Sequence, residues 1–386
     1  MPRLGTIFSE LLRLCPRYQF DKAVEQRQGD RYVKTFTTWQ QFITMLYSQV
    51  KQKDSLRDIE SGLLTQSAKW YHIGLGNVRR STLADANNKR DYRVFEDLFY
   101  HILSRCQGLT PKHRLRFKNP LYSIDSTTVD LCLSVFPWAK FRTAKGAIKM
   151  HCLYDHSGAL PSFMVVTDGK KHDVRVVKEN SFPMSPDSIV SVDKAYIDYN
   201  WLKSLDYNGV FFVTRAKRNI DCTVTGQHRP ASKGVRQDVS ICLNGSRTKK
   251  LYPKDLRLIE YHDEETGKTL VFLTNNFKLA ASTIAQIYKS RWQIELFFKW
   301  IKQNLKIKSF LGTSKNAVMT QIWVAMCYYL LLTYIKYQTK YTNSLLELSR
   351  VIRETLFDRK TLIDILTIKP ERILAVQEVP IQGRLF

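Results

Sequence analysis

Between residues 121 and 214 the sequence changes period in an order that few folds accommodate. Strand-like alternation covers Leu121 to Val129, Ala147 to Tyr154, Leu160 to Thr167, Ser188 to Val192 and Val210 to Thr214. Helical spacing appears at about Val174 to Glu179 and Tyr199 to Leu205. The order is three strands, then helix, strand, helix, strand. His156-Ser157-Gly158 reads as a tight turn, so the strands beside it run antiparallel. The later strands are separated by helical crossovers, which join parallel neighbours. The expectation is an α/β architecture built on a mixed sheet with helices on its faces.

The flanks read differently. Residues 1–115 carry three helical patterns: one capped by Thr38 with Phe42, Leu46 and Val50 among its apolar positions, one at Leu56 to Leu64 after Asp54 or Ser55, and one at about Thr82 to Cys106. Lys69, Arg79, Arg80, Lys89, Arg90 and Arg93 crowd this part. Short helices with basic connections fit a DNA-binding domain of helix-turn-helix character. A basic linker, Lys112 to Lys118, leads to the strands. Residues 216 to about 275 hold short alternating runs between turn signals and are expected as a β-rich insertion. Helix resumes near Ala280. The division expected is 1–115, 116–310 with the insertion inside it, and a helical C-terminal region at 311–386 that could dimerise.

The charge narrows the partner. Sixty Lys and Arg against 35 Asp and Glu leave a net charge of +25. Such an excess repels itself unless a polyanion is near, and nucleic acid is the first candidate. Seven Cys without any C-x-x-C spacing argue against structural zinc and a disulfide framework. The start, Met-Pro-Arg-Leu-Gly-Thr, does not read as a secretory leader. Ala317 to Ile335 is nearly long enough to span a bilayer, but its Thr320, Gln321 and Thr333 fit a buried core helix better. The expectation is a cytoplasmic, nucleoid-associated bacterial protein with no membrane partner. No G-x-x-x-x-G-K-[ST] loop and no G-x-S-x-G elbow occur, which disfavours ATP hydrolysis and serine hydrolysis.

Three acids carry the chemistry. Asp125 sits in the middle of an expected central strand, where a carboxylate is costly unless something pairs with it. Asp193 ends the short apolar strand Ser188 to Val192. Glu295 lies in the helical segment Ile287 to Lys302. At about 100° per residue, Tyr288, Arg291, Glu295 and Lys302 of that segment fall within about 60° of one another, beside its apolar stripe. Three carboxylates make a hard oxygen site suited to Mg²⁺ or Mn²⁺. Two such ions about 4 Å apart serve phosphodiester cleavage and strand transfer.

The pattern Y-x2-R-x3-E-x6-K at Tyr288, Arg291, Glu295 and Lys302, with Asp125 in I-D-S-T and Asp193 in V-D-K-A-Y, resembles the bacterial insertion-sequence transposases of the DDE superfamily. The resemblance covers residues 120 to 310. It implies an RNase H-like catalytic domain interrupted by a β-strand insertion before the Glu. The gaps of 68 and 102 positions between the acids leave room for it. It further implies that Asp125, Asp193 and Glu295 bind two Mg²⁺ or Mn²⁺ ions and that Tyr288, Arg291 and Lys302 hold phosphates. The DNA would be double-stranded: the terminal inverted repeats of the element and its target. The route would be cut-and-paste, through a hairpin, in a homodimer.

This chain departs from that group in having no Trp between Trp201 and Trp292. A flipped base would then stack on Phe211, Phe212, Tyr252 or Tyr261. Lys194-Ala195 also stands where small residues often follow the second Asp. Arg215, Lys217 and Arg218 are candidate phosphate contacts. Lys145, Lys149 and His151 fit either a DNA-facing or a solvent-facing strand surface, and His172 or Asp173 is a candidate neighbour of the site. Two other classes stay open on residues alone: a DNA-binding protein without catalysis, and a metal-dependent nuclease without strand transfer.

Overall fold

A computed structural model describes residues 5–142, 145–228 and 233–366. The chain begins with six helices: α1 (Ile7–Arg13), α2 (Arg17–Gln26), α3 (Thr38–Val50), α4 (Leu56–Leu64), α5 (Arg80–Lys89) and α6 (Arg93–Gln107). The cap of α3 is Thr37 and not the expected Thr38, in a reciprocal capping box with Gln40. Ser55 caps α4 through the Asp58 N–H. The single helix expected from Thr82 to Cys106 is two. Arg90 takes an extended conformation between α5 and α6. Asn316 donates to the carbonyls of Asn87 and Arg90 that the break leaves open.

Ten strands form one mixed sheet: β1 (Leu121–Leu131), β2 (Lys140–Arg142), β3 (Lys145–Asp155), β4 (Leu160–Asp168), β5 (Ile189–Val192), β6 (Phe211–Arg215), β7 (Cys222–Gln227), β8 (Val235–Leu243), β9 (Leu256–Asp263) and β10 (Lys268–Thr274). Their order is β2-β3-β1-β5-β6-β10-β9-β8-β7, with β4 paired to β3. β1, β5 and β6 are parallel; β3 and β10 flank them antiparallel. The strands expected as an insertion therefore continue the sheet edge to edge, because β10 pairs with β6 and β9 with β10. The helices are α7 (Asp173–Glu179), α8 (Tyr199–Tyr207), α9 (Ser246–Leu251), α10 (Ala281–Ser290) and α11 (Trp292–Asn304).

Alternation sorts the strand side chains onto two faces. Ile124, Val190, Val192 and Phe212 pack with Val176, Val177, Trp201 and Leu202 of α7 and α8. Leu121, Ile189, Val213 and Phe272 pack with Ile284, Ile287 and Tyr288 of α10. Both faces of the central strands are thus covered, as parallel strands require.

The chain ends in α12 (Lys315–Gln338), α13 (Leu345–Thr355) and α14 (Leu362–Leu366). α12 is long and apolar enough to cross a membrane, but 94% of its most apolar window is buried against protein. It packs on α3, α5, α6 and α13. The described residues fall into two compact units, one drawn from Met1–Leu109 with Asn304–Phe386 and the other from Thr110–Gln303. The helices expected as a separate region at 311–386 accordingly share a unit with the N-terminal ones. The physical reason is α12, whose nearly all-round apolar surface needs partners on every side.

Candidate active site

The sheet places two of the acids. Ile124 pairs with Val192 in the parallel β1–β5 ladder, so Asp125 and Asp193 each lie one residue past that pair, side by side. Ile124 and Val192 face α7 and α8, so by alternation both Asp side chains face the other side, which α10 covers. They stand where parallel strands end, the usual place for a ligand crevice in such sheets.

The third acid arrives on a broken helix. α10 ends at Ser290 and α11 starts at Trp292. Arg291 lies between them, with its N–H on the Tyr288 carbonyl and its own carbonyl accepting from Ile294. These three-residue bonds are tighter than the α-helical spacing. The segment expected as one helix is therefore two, joined at the residue that contacts two of the three acids. Arg291 Nη1 donates to Asp125 Oδ2 at 2.9 Å, and Nη2 donates to Glu295 Oε1. Tyr288 donates to Asp193 Oδ1 at 3.4 Å, and Arg215 Nη2 donates to the same oxygen at 3.2 Å. Both guanidinium groups also lie near the Tyr288 ring, 5.7 and 5.8 Å from its centroid.

Charge follows from this packing. Burial pushes the Asp125 carboxyl above its ordinary value; the Ser126 N–H and Arg291 pull it back, and Glu295 and Asp193 push it up again. Burial also acts on Asp193, but the Lys194 N–H and Arg215 outweigh it and leave that carboxyl below its ordinary value. Burial raises the Tyr288 phenol against the pull of Arg215 and Arg291.

Among the described residues no three His, Cys, Asp or Glu side chains are close enough to hold one ion together. Guanidinium groups occupy that position instead, bridging Asp125 to Glu295 and capping Asp193. The donor set still fits a hard divalent cation: three carboxylates from three elements, gathered around positive charge, with no soft ligand among them.

The other candidates are placed as follows. Lys302 is half-buried in the last turn of α11. Lys217 and Arg218 are exposed in the turn after β6. Lys145 opens β3, but its side chain lies outside the described residues. Lys149 is largely buried and bonded to Asp173 Oδ1 at 3.2 Å. Asp173 also accepts from Ser126 Oγ at 2.7 Å and lies 3.4 Å from the fully buried His151. Asp173 is thus next to the Asp125 strand segment. Phe212 and Tyr252 are core residues with no exposed ring face, while Phe211 and Tyr261 are half-buried.

Three residues of this neighbourhood were not reached from sequence. Trp292, directly after Arg291, is 58% exposed. Tyr196 is buried, and burial with the nearby charges of Asp173 and Asp125 holds its phenol well above its ordinary value. Its one signal was its position three residues after Asp193. His156, read only as part of a turn, is buried between Ser123 and Gln293.

Burial lowers the His156 ring to about 4 from an ordinary 6.5. The folded chain keeps the ring neutral while the unfolded chain protonates it. The stability from this group is complete above pH 6.5 and is lost as pH falls toward 4, by up to roughly 3 kcal/mol. Urea unfolding of wild type and His156→Phe between pH 7 and 4 checks this. The difference between the two should shrink steadily over that window; a constant difference refutes it.

Residues 116–331 match the family profile described as the transposase DDE domain. Residues 4–76 match that of a domain of unknown function (DUF4372). A protein of Sinorhizobium fredii named as a transposase (y4zB) is 34% identical over 72% of this chain and 77% of its own length. One of Geobacillus stearothermophilus, named as a transposase for insertion sequence element IS5377, is 30% identical over 69% and 70%. One of Synechocystis, named for insertion sequence element IS4SA, is 25% identical over 65% and 70%.

Proposed function

The chain belongs to the DDE transposase family, and from that premise we propose that Asp125, Asp193 and Glu295 hold two Mg²⁺ or Mn²⁺ ions at the cleaved ends of an insertion sequence. One observation supports this above the rest. Two Asp on adjacent parallel strands face the same helix pair, and Arg291 ties one of them to the Glu of that pair. When bound, two ions supply the charge that activates an attacking oxygen and stabilises a leaving oxygen.

The chain's own residues do the positioning. Arg291 and Arg215 screen the carboxylates from one another here, and each is placed to turn to a phosphate, which a guanidinium grips through two parallel bonds. Tyr288 holds Asp193 and offers its hydroxyl beside it. Lys302, Lys217, Lys145 and Lys149 are the further candidate phosphate contacts; Lys149 would have to leave Asp173 to serve. The substrate is double-stranded DNA: the terminal inverted repeats, then the target. The basic helical surface with exposed Arg79, Arg80, Lys89 and Arg93 binds the repeats in this reading. Cleavage and strand transfer follow a cut-and-paste route in a homodimer. If that route passes through a hairpin, the aromatics available to stack a flipped base are Phe211, Tyr261 and the exposed Trp292.

The test mixes purified protein with a duplex bearing the element's terminal repeat and either metal, beside Asp193→Asn. End-specific nicked, hairpin or joined products, lost in the variant, are expected. Tight end binding without cleavage under either metal overturns the catalytic reading and leaves a DNA-binding protein; cleavage without joined products leaves a nuclease.

A further inference from the structure

The turn between β3 and β4 carries a side chain that touches both the strand of Asp125 and the helix of Glu295. His156 Nε2 lies 2.7 Å from Ser123 Oγ, two residues before Asp125 on the same strand face. His156 Nδ1 lies 3.2 Å from Gln293 Oε1, two residues before Glu295. The His156 N–H also donates to the Leu121 carbonyl at 3.0 Å, which fixes the backbone of the turn to the start of β1. Gly158 completes that turn in the left-handed region, at φ 75°.

The direction of the chain of bonds follows from its ends. Gln293 Oε1 can only accept, so His156 Nδ1 carries the proton and donates. Nε2 then accepts, and the Ser123 hydroxyl donates to it. The ring is 8% exposed, and Ser123 is fully buried. The Ser123 bond is therefore made away from water, where losing it leaves a costly orphan, while the Gln293 bond lies at the exposed side of α11.

A second grip comes from the same strand end. The Tyr154 ring stands edge-on to His156 at 5.3 Å and packs on Phe297 at 5.5 Å. Gln293 and Phe297 straddle Glu295 on α11. Tyr154 is also the cross-strand partner of Ser123. Two adjacent anchors thus hold α11 on either side of its acid, against the strand that carries the other acid.

We propose that His156 is a positioning residue that sets the spacing between Asp125 and Glu295 by joining Ser123 to Gln293. It touches neither substrate nor ion. The inference rests on the reading of Asp125 and Glu295 as carboxylates that hold the metal. Its role matters because α11 is a separate helix from α10, and the tie from Asp125 to Glu295 through Arg291 is given up when Arg291 turns to a phosphate.

The test uses the full chain with three variants: His156→Phe, Gln293→Met and His156→Gln. Mn²⁺ binding is measured by calorimetry, end binding by gel shift, and single-turnover cleavage on the terminal-repeat duplex. His156→Phe keeps a ring for Tyr154 but loses both bonds; Gln293→Met loses one bond from the exposed side and guards against misfolding of the first. Both are expected to weaken Mn²⁺ binding and slow cleavage by about tenfold or more, with end binding unchanged. His156→Gln, which retains a donor and an acceptor, should recover most of both. Wild-type metal affinity and cleavage in folded His156→Phe or in Gln293→Met overturn the proposal. Asp125→Asn and Glu295→Gln run beside them: if these also bind metal and cleave as wild type, it is the metal-site reading that has failed, whatever the His156 variants do.

Discussion

Glu295→Gln is expected to slow end cleavage about a thousandfold, since metal-ion charge stabilisation is worth several kcal/mol and each 1.4 kcal/mol is about tenfold in rate. The substitution is nearly isosteric. Gln keeps an oxygen that accepts from Arg291, so the contact that docks α11 against β1 is retained in weaker form. What is lost is one of three negative charges and with it a hard ligand. End binding, which the proposed function gives to the basic helical residues Arg79, Arg80, Lys89 and Arg93, should stay unchanged. Single-turnover cleavage and gel-shift titration of the same DNA separate the two effects. A variant that cleaves within tenfold of wild type removes Glu295 from the metal set. One that loses DNA binding as well marks Glu295 as structural.

Arg257→Met is expected to cost about 3–5 kcal/mol of stability, the usual penalty for leaving a buried charge without its partner. Arg257 on β9 and Asp238 on β8 are both almost fully buried and joined by two parallel bonds of 2.8 and 2.7 Å. The Arg257 Nη1 also donates to the carbonyls of Asn276 and Leu279, just before α10 begins. The pair thus anchors the outer strands to the segment that launches α10. Urea unfolding, followed by hydrogen-exchange protection of β8 to β10, measures the loss. Asp238→Leu combined with Arg257→Met should restore most of it, because two apolar groups leave no orphaned charge. A loss below about 1 kcal/mol in Arg257→Met would show that water reaches the pair.

The local readings that held were those with a short-range cause. Period-two alternation placed β1, β3, β4, β5 and β6 within a residue or two of their bounds. Of Asp54 and Ser55, both offered before Leu56, Ser55 proves to be the cap of α4, because a hydroxyl cap acts three residues away. Breaks were harder. The pattern from Thr82 to Cys106 is helical on both sides of Arg90. What interrupts it is Arg90 reaching the carbonyl of Phe36 and the side chain of Gln41, partners some fifty positions away. The break at Arg291 has the same origin. Its guanidinium is held by Asp125, 166 positions earlier in the chain, and no helical period records that.

The insertion shows the limit from another side. Its alternation was visible, but alternation says which residues share a face and not which strand lies alongside. The β-rich insertion is there as expected, and the pairing of β10 with β6 makes it the continuation of one sheet. Arg257 and Asp238 were visible only as charges within strands; their burial follows from that pairing.

For the candidate site, the residues themselves were legible: three carboxylates and the spaced Tyr, Arg and Lys stand in the sequence, and the two strand patterns already imply which face Asp125 and Asp193 share. The sheet register, the turn at Arg291 and the tie through His156 belong to the tertiary structure alone. Side-chain type and period are properties of a few consecutive residues. The meeting of Ser123, His156 and Gln293 across 170 positions is a property of the closed chain, and only packing brings it about.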